Sequence, residues 1–384
     1  MIYLDHHAAT PPAPEVARAM AEARAVGWGN PSSAHAAGRA SRALLERARR
    51  SLAEAVGAEP ADLVLTSGGT EAVNTAVLGP FPPTLAIDSA HVVSTEVEHP
   101  AMAEAVARLV ERGARVTRLS VRGGVAPSVE ALEAVLTPDT ALVALQWVNH
   151  ETGSVLPIAA YAALCRARGV PLVVDASQAL GKLPLDLSAL GADAVAFASS
   201  KVGGPHGCGA VYVARGRSVS PLLAGGGQER GRRPGTPDVA AAVGFGAAAA
   251  LLAARLAQMP RLAALRDRLE AGLVARGGVV SGHDPGSVRV ATVTHVAFEG
   301  LRGDVLVAAL DVEGVCVSSG AACSSGLATP SPSVLAMHPD APWRAAGALR
   351  CSLGPESSDG DVDGALAALD RVLARFGRGA IPAR

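Results

Sequence analysis

Two residues of this 384-residue chain have the types and spacing of a reactive pair. Lys201 lies in Phe197-Ala198-Ser199-Ser200-Lys201-Val202-Gly203-Gly204-Pro205, directly after an apolar run that reads as a buried strand. Asp175 ends a second such run, Leu172-Val173-Val174, 26 residues upstream. A desolvated lysine has a lowered pKa and becomes a nucleophile toward carbonyls. A carboxylate is costly to bury unpaired, and a protonated pyridine nitrogen would be a suitable partner. A lysine to form a Schiff base and an aspartate to keep a pyridine ring protonated are the two groups that a pyridoxal phosphate (PLP) site needs. Such a site acts on amino acids.

Further candidates follow other apolar runs. Ser67-Gly68-Gly69-Thr70-Glu71 lies between a strand pattern and a helix pattern. Glycines there allow close backbone approach, and free N–H groups at a helix start favour a phosphate, although a plain glycine turn would read the same. Ser200, beside Lys201, is a further hydroxyl donor. His99, in Glu98-His99-Pro100, could stack on a flat ring or be structural. Asn149, in Trp147-Val148-Asn149-His150, could hold a cofactor oxygen or a substrate carboxylate, or form a turn. Gln178 could hydrogen-bond the cofactor oxygen. Arg350 could fork a carboxylate or form a structural ion pair. Cys323 sits in Ser318-Ser319-Gly320-Ala321-Ala322-Cys323-Ser324-Ser325-Gly326, among small and hydroxylic residues that suit an exposed thiolate nucleophile, or an incidental loop cysteine.

These residues need a scaffold of alternating elements. Apolar strand patterns at 63–66, 91–95, 115–119, 141–148, 172–175, 194–198 and 210–213 alternate with amphipathic patterns at 34–56, 71–78, 100–112, 128–136 and 158–168. That alternation implies an α/β fold with a mainly parallel, buried, seven-stranded sheet, which binds ligands beyond the carboxyl ends of its strands. Past Thr236 a long helical pattern runs from 238 to 275, then a strand at 291–298 and helices at 304–312 and 361–375. Residues 13–255 are therefore expected to form a large domain. Residues 1–12 and 256–384, with Cys323, form a smaller α+β domain.

Composition narrows the function classes. A net charge of −1 and 3% aromatic residues argue against direct nucleic-acid contact or an anionic membrane surface. No run approaches the ~20 apolar residues of a membrane span, and the N-terminus lacks a signal-peptide pattern. Five cysteines without a CxxC pair, and histidines without an HxxxH, point away from a disulfide framework or a metal site and suit a reducing cytoplasm.

Taken in order, several segments resemble the cysteine desulfurases, PLP enzymes of fold type I in the class V aminotransferase group. They are Tyr3-Leu4-Asp5-His6-His7-Ala8-Ala9-Thr10, Gly29-Asn30-Pro31-Ser32-Ser33, the Gly68-to-Glu71 loop, Glu98-His99-Pro100 and Val148-Asn149-His150-Glu151-Thr152-Gly153. Val174-Asp175-Ala176-Ser177-Gln178, Gly225-Gly226-Gly227-Gln228-Glu229-Arg230-Gly231, Arg233-Pro234-Gly235-Thr236, the Cys323 loop and Arg350-Cys351-Ser352-Leu353-Gly354 complete the series. The long serine-rich loop is similar to the iron–sulfur-assembly type.

The resemblance implies that Lys201 carries PLP, Asp175 pairs the pyridine nitrogen, Gln178 the phenolic oxygen, and His99 stacks on the ring. It implies that Gly69, Thr70 and Ser200 surround the phosphate, and that Thr236 reaches the phosphate of the other subunit of a homodimer. Asn149 and Arg350 would hold the carboxylate of L-cysteine, and Cys323 would take its sulfur as a persulfide for a sulfur-acceptor protein, an iron–sulfur scaffold or a sulfur carrier. Two departures stand out. The family usually has His directly before the lysine and often Ser two residues earlier; here these are Ser200 and Ala198. The loss of one hydroxyl donor at Ala198 implies weaker PLP retention. The alternatives are another class V PLP reaction, selenocysteine cleavage or transamination, and a PLP-binding scaffold in a sulfur-transfer complex.

Overall fold

The seven apolar runs assemble into one sheet. In the computed structural model, which describes residues 1–320 and 330–376, the strands are β1 (Ile2–Tyr3), β2 (Leu63–Thr66), β3 (His91–Thr95), β4 (Arg115–Leu119), β5 (Thr140–Gln146), β6 (Leu172–Asp175), β7 (Ala194–Ala198), β8 (Gly209–Val213), β9 (Gly278–Val280), β10 (Val293–Phe298), β11 (Val315–Cys316) and β12 (Ala348–Ser352). The large sheet has the order β2-β8-β7-β6-β5-β3-β4. Only β8 runs antiparallel to its neighbours β2 and β7; the other pairs are parallel. Cys323, the expected sulfur carrier, lies outside the described residues.

Side-chain alternation along each strand feeds two cores. Val143, Leu145, Val174, Val195 and Phe197 pack on one face with Leu45, Leu52 and Phe245. Leu142, Ala144, Val173 and Ala196 pack on the other with Val73, Val77, Met102 and Leu109. Helices on both faces explain why the strands read as unbroken apolar runs. The register places Gln146 beside Asp175, and Asp175 beside Ala196, so the carboxyl ends of β5, β6 and β7 form one rim.

A separate core of Leu4, Leu265, Leu269, Val296, Phe298, Leu306, Leu349 and Leu369 lies behind the antiparallel sheet β12-β10-β9. The N-terminal segment joins it: β1 pairs with β11 in parallel, and Asp5 bridges Ser352. The pattern expected as one helix from 238 to 275 is three segments, Val239–Ala250, Leu252–Ala257 and Met259–Ala275. Pro260 starts the third, since proline lacks the N–H that a helix interior needs. The helix Pro14–Val26, with proline at its first position, was not expected. Among the described residues no helix is long and apolar enough to cross a membrane, and no group of side chains could hold a metal.

Candidate active site

β7 ends at Ala198 and the chain turns at once through a short 3-10 helix, Ser199–Val202. Gly203 ends that turn at φ +67°, where a Cβ would lie 2.6 Å from Arg255 Nη2 and 2.9 Å from the Pro11 oxygen. The turn sends Lys201 back over the rim, where Nζ donates to the Ala8 oxygen at 2.7 Å. The N-terminal segment also clamps the turn from outside, through Thr10 N to the Ser200 oxygen at 2.9 Å.

Asp175, the last residue of β6, is buried and accepts from Ser177 N at 2.9 Å. Burial pushes its pKa up, opposed by the Ser177 hydrogen bond and by the charges of His150 and Lys201. It forms no ion pair among the described residues. His99 caps the helix Pro100–Glu111, with Nδ1 accepting from Ala101 N at 3.1 Å. Its ring meets His150 edge-on, centroids 5.0 Å apart. Burial first, then the electrostatic influence of His150 and Lys201, holds His99 neutral with a pKa of about 3.

Gly69 and Thr70 open the helix Gly69–Leu78, after Gly68 at φ +151°. A Cβ on Gly69 would come within 2.8 Å of Ala198 Cβ, so glycine keeps this corner open. Glu71 secures the loop by accepting from Ser67 N at 2.6 Å and pairing with Arg233 at 2.9 Å. Gln178 donates from Nε2 to the His7 oxygen at 2.8 Å, and its Oε1 accepts from Lys182 Nζ at 2.7 Å. Arg350, on β12, is buried; Nη2 pairs with Asp5 Oδ1 at 2.6 Å and Nη1 donates to the His150 oxygen at 3.1 Å. Its Nε is buried without a partner among the described residues. The structural ion pair and the carboxylate fork were alternatives for Arg350. The ion pair with Asp5 is present, and Arg350 also reaches the cavity.

That cavity has a volume of about 190 Å³ and is lined by Gly69, Thr70, His99, Asp175, Gln178, Ser200, Lys201 and Arg350. Eight of the expected residues therefore line one cavity, although they come from three strand ends, a helix start and the antiparallel sheet β12-β10-β9. Asn149 is not on that wall. Its Oδ1 accepts from Glu151 N, Thr152 N and Thr152 Oγ1 at 2.9–3.1 Å, and its Nδ2 donates to the Val97 oxygen at 3.0 Å. The amide closes the turn after β5, while Val148 and His150 on either side line the cavity. Thr236 is exposed in the segment before the helix Val239–Ala250, away from this chain's cavity.

Sequence reasoning missed several wall residues. Gln146 ends β5 beside Asp175, and its Oε1 is buried without a partner among the described residues. As the polar end of an apolar strand it carried the same signal as Asp175. His7 and Ala8 arrive from the far end of the chain, and no local pattern marks them.

The donor set fits a flat cationic heteroaromatic ring bearing a phosphate. A buried carboxyl with no ion pair among the described residues faces the cavity, a neutral imidazole and a lysine flank it, and a glycine-opened helix start lies at one corner.

Comparison with known proteins agrees with this geometry. The family described as aminotransferase class-V matches residues 2–364. The chain is 43% identical to the "IscS-like cysteine desulfurase" of Mycobacterium tuberculosis (strain ATCC 25618 / H37Rv), covering 100% of this chain and 99% of that protein. It superposes on a solved "NifS-like protein" with a TM-score of 0.88 and 29% identity, covering 97% of this chain and 99% of the other. A solved structure described as "SspA in complex with cysteine" gives a TM-score of 0.79 at 27% identity, over 93% and 100% of the two chains. With the rim, the cavity and these relatives in place, the chain belongs to the class V aminotransferase family, in its cysteine desulfurase group.

Proposed function

We propose that this chain is a PLP-dependent cysteine desulfurase, converting L-cysteine to L-alanine and carrying the sulfur on Cys323 as a persulfide. The observation that carries the reading is the single cavity wall on which Lys201, Asp175, His99, Gln178 and Arg350 meet. When bound there, PLP supplies an electron sink next to the substrate Cα. Gly69, Thr70 and Ser200 would hold its phosphate at the helix start, where free N–H groups favour an anion. Asp175 would pair the pyridine nitrogen, since a buried carboxylate gains from a cationic partner. Neutral His99 would lie against the ring, and Gln178 would donate to the phenolic oxygen.

Arg350 binds the substrate carboxylate from a position fixed by Asp5 and the His150 carbonyl. Lys201 Nζ, held over the rim by the Ala8 oxygen, is the group that moves the Cα proton. The Cys323 thiolate attacks the substrate sulfur. The S–S bond forms as the Cβ–S bond breaks, and the electron pair left at Cβ takes a proton to give alanine. Asn149 contributes by holding the turn that presents His150. In this reading the active unit is a cytoplasmic homodimer in which Thr236 completes the neighbouring phosphate site. The acceptor is an iron–sulfur scaffold or a sulfur-carrier protein. Cys323→Ser should retain the cofactor spectrum and bind L-cysteine while forming no persulfide; full turnover by that variant would overturn the assignment.

A further inference from the structure

Lys182 is a part-buried cation with no carboxylate partner among the described residues. Its described hydrogen bond runs from Nζ to Gln178 Oε1 at 2.7 Å. The charged groups that bear on it are Lys201, Arg255 and Arg350, and the rings of His6 and His7 lie within its field; every one is cationic or neutral. Burial and these three cations bring its pKa down to about 7. A lysine kept there without an anion asks for a reason. Gln178 and Lys182 are one helical turn apart, in a turn that Gly181 permits at φ +68°.

The geometry supplies the reason. Gln178 lines the cavity and Lys182 does not. The amide is held at both ends: Nε2 donates to the carbonyl of His7, a cavity residue, and Oε1 receives Lys182 from behind. Below its pKa of about 7 Lys182 is an ammonium, which can only donate, so it fixes which end of the amide faces it. A charge-assisted bond on Oε1 also makes the remaining Nε2–H a stronger donor.

We propose that Lys182 is a positioning residue for the reaction: from behind the cavity wall it orients and polarises the Gln178 amide, so that Gln178 presents a donor to the cofactor oxygen. This rests on the reading of the site as a PLP site. It assigns Lys182 an indirect role, through Gln178, and no contact with substrate or cofactor.

The test is the pH midpoint of the absorption band of the lysine-bound cofactor, measured on the purified holoprotein. Loss of a donor to the phenolic oxygen makes the cofactor hold its proton more tightly. Lys182→Met should raise the midpoint by at least about half a unit, roughly a threefold change in the constant. Lys182→Arg, also a donor-only cation, should restore it. In a Gln178→Leu background, Lys182→Met should add less than about 0.2 unit, because the two residues act as one path. An unshifted Lys182→Met overturns the proposal. So does a double variant whose shift is the sum of the two single shifts, since that would mean a direct charge effect. If Lys182→Met does not accumulate as holoprotein, Lys182→Gln, which can accept as well as donate, is judged by the same criteria. A wild type that shows no titrating cofactor band defeats the PLP reading itself, a distinguishable outcome.

Discussion

Replacing Ala198 by serine would put a hydroxyl at the end of β7, on the cavity wall and facing the opened helix start at Gly69. The resemblance to relatives implies a hydroxyl donor at this position, and this chain lacks it. A hydrogen bond from a neutral donor to an ionised acceptor such as phosphate contributes about 1.5–3 kcal/mol net. At about 1.4 kcal/mol per tenfold, that corresponds to roughly a 10- to 150-fold lower Kd for PLP. Ordering and desolvating the new hydroxyl offsets part of it, so the lower end, about tenfold, is the expected gain. The assay is titration of apoprotein with PLP, followed by holoprotein absorbance, with dissociation into a trap as a kinetic check. Ser200→Ala, which removes the hydroxyl that remains, should move Kd in the opposite direction. Kd values within twofold of each other for wild type and Ala198→Ser would refute the reasoning. They would mean that the backbone N–H groups of the helix start already saturate the phosphate.

Other consequences concern stability. Glu229 lies at φ +47°, an uncommon backbone for a residue with a side chain, and is held there by a bidentate pair with buried Arg49 (2.6 and 2.7 Å) and by Leu65 N at 2.9 Å. Glu229→Ala leaves Arg49 only the longer, more exposed pair with Glu46 at 3.3 Å and should cost about 3 kcal/mol in urea unfolding, the lower end for a broken buried pair; a loss below about 1 kcal/mol would contradict the pair's role. His6 and His295 are buried and His99 is half-buried; all three are neutral, with pKa values pushed down to about 4, 4 and 3, chiefly by desolvation. The unfolded chain takes up protons near 6.5 while the native state refuses them, so stability should fall as pH drops from 6.5 toward 4, by up to about 1.4 kcal/mol per pH unit for each histidine. Glu98, pushed up to about 8 mainly by burial, acts the other way; its contribution is full below 4.5 and fades as pH rises to 8. Both ring nitrogens of His295 lack partners among the described residues, so His295→Leu should flatten the acid limb. An unchanged pH slope in that variant would contradict the assignment.

Much of the fold was written in the chain because its strands are buried on both faces. An unbroken run such as Leu172-Val173-Val174 then announces both a strand and its position at the sheet centre. The polar residue that ends such a run is legible for the same reason, which is how Asp175 and Lys201 stand out. Asn149 carried the same signal and serves the turn instead, because three local hydrogen bonds and one to the distant Val97 carbonyl satisfy its amide. Alanine-rich helix propensity hid the breaks between 250 and 259, although Pro260 was there to mark one of them. What sequence could not give is the long-range docking. Ala8 meets Lys201 across 193 positions, and Asp5 meets Arg350 across 345, contacts set by the pairing of β1 with β11 and not by any local pattern. Lys182 was overlooked because its meaning depends on which way a glutamine amide points.

The most direct measurement is alanine and persulfide formation from L-cysteine with a reductant, using PLP-loaded wild type beside Cys323→Ala. The account predicts both products from the wild type and no persulfide or sustained alanine release from the variant. Equal turnover by the two proteins would contradict it and move the chemistry to a reaction that does not use Cys323.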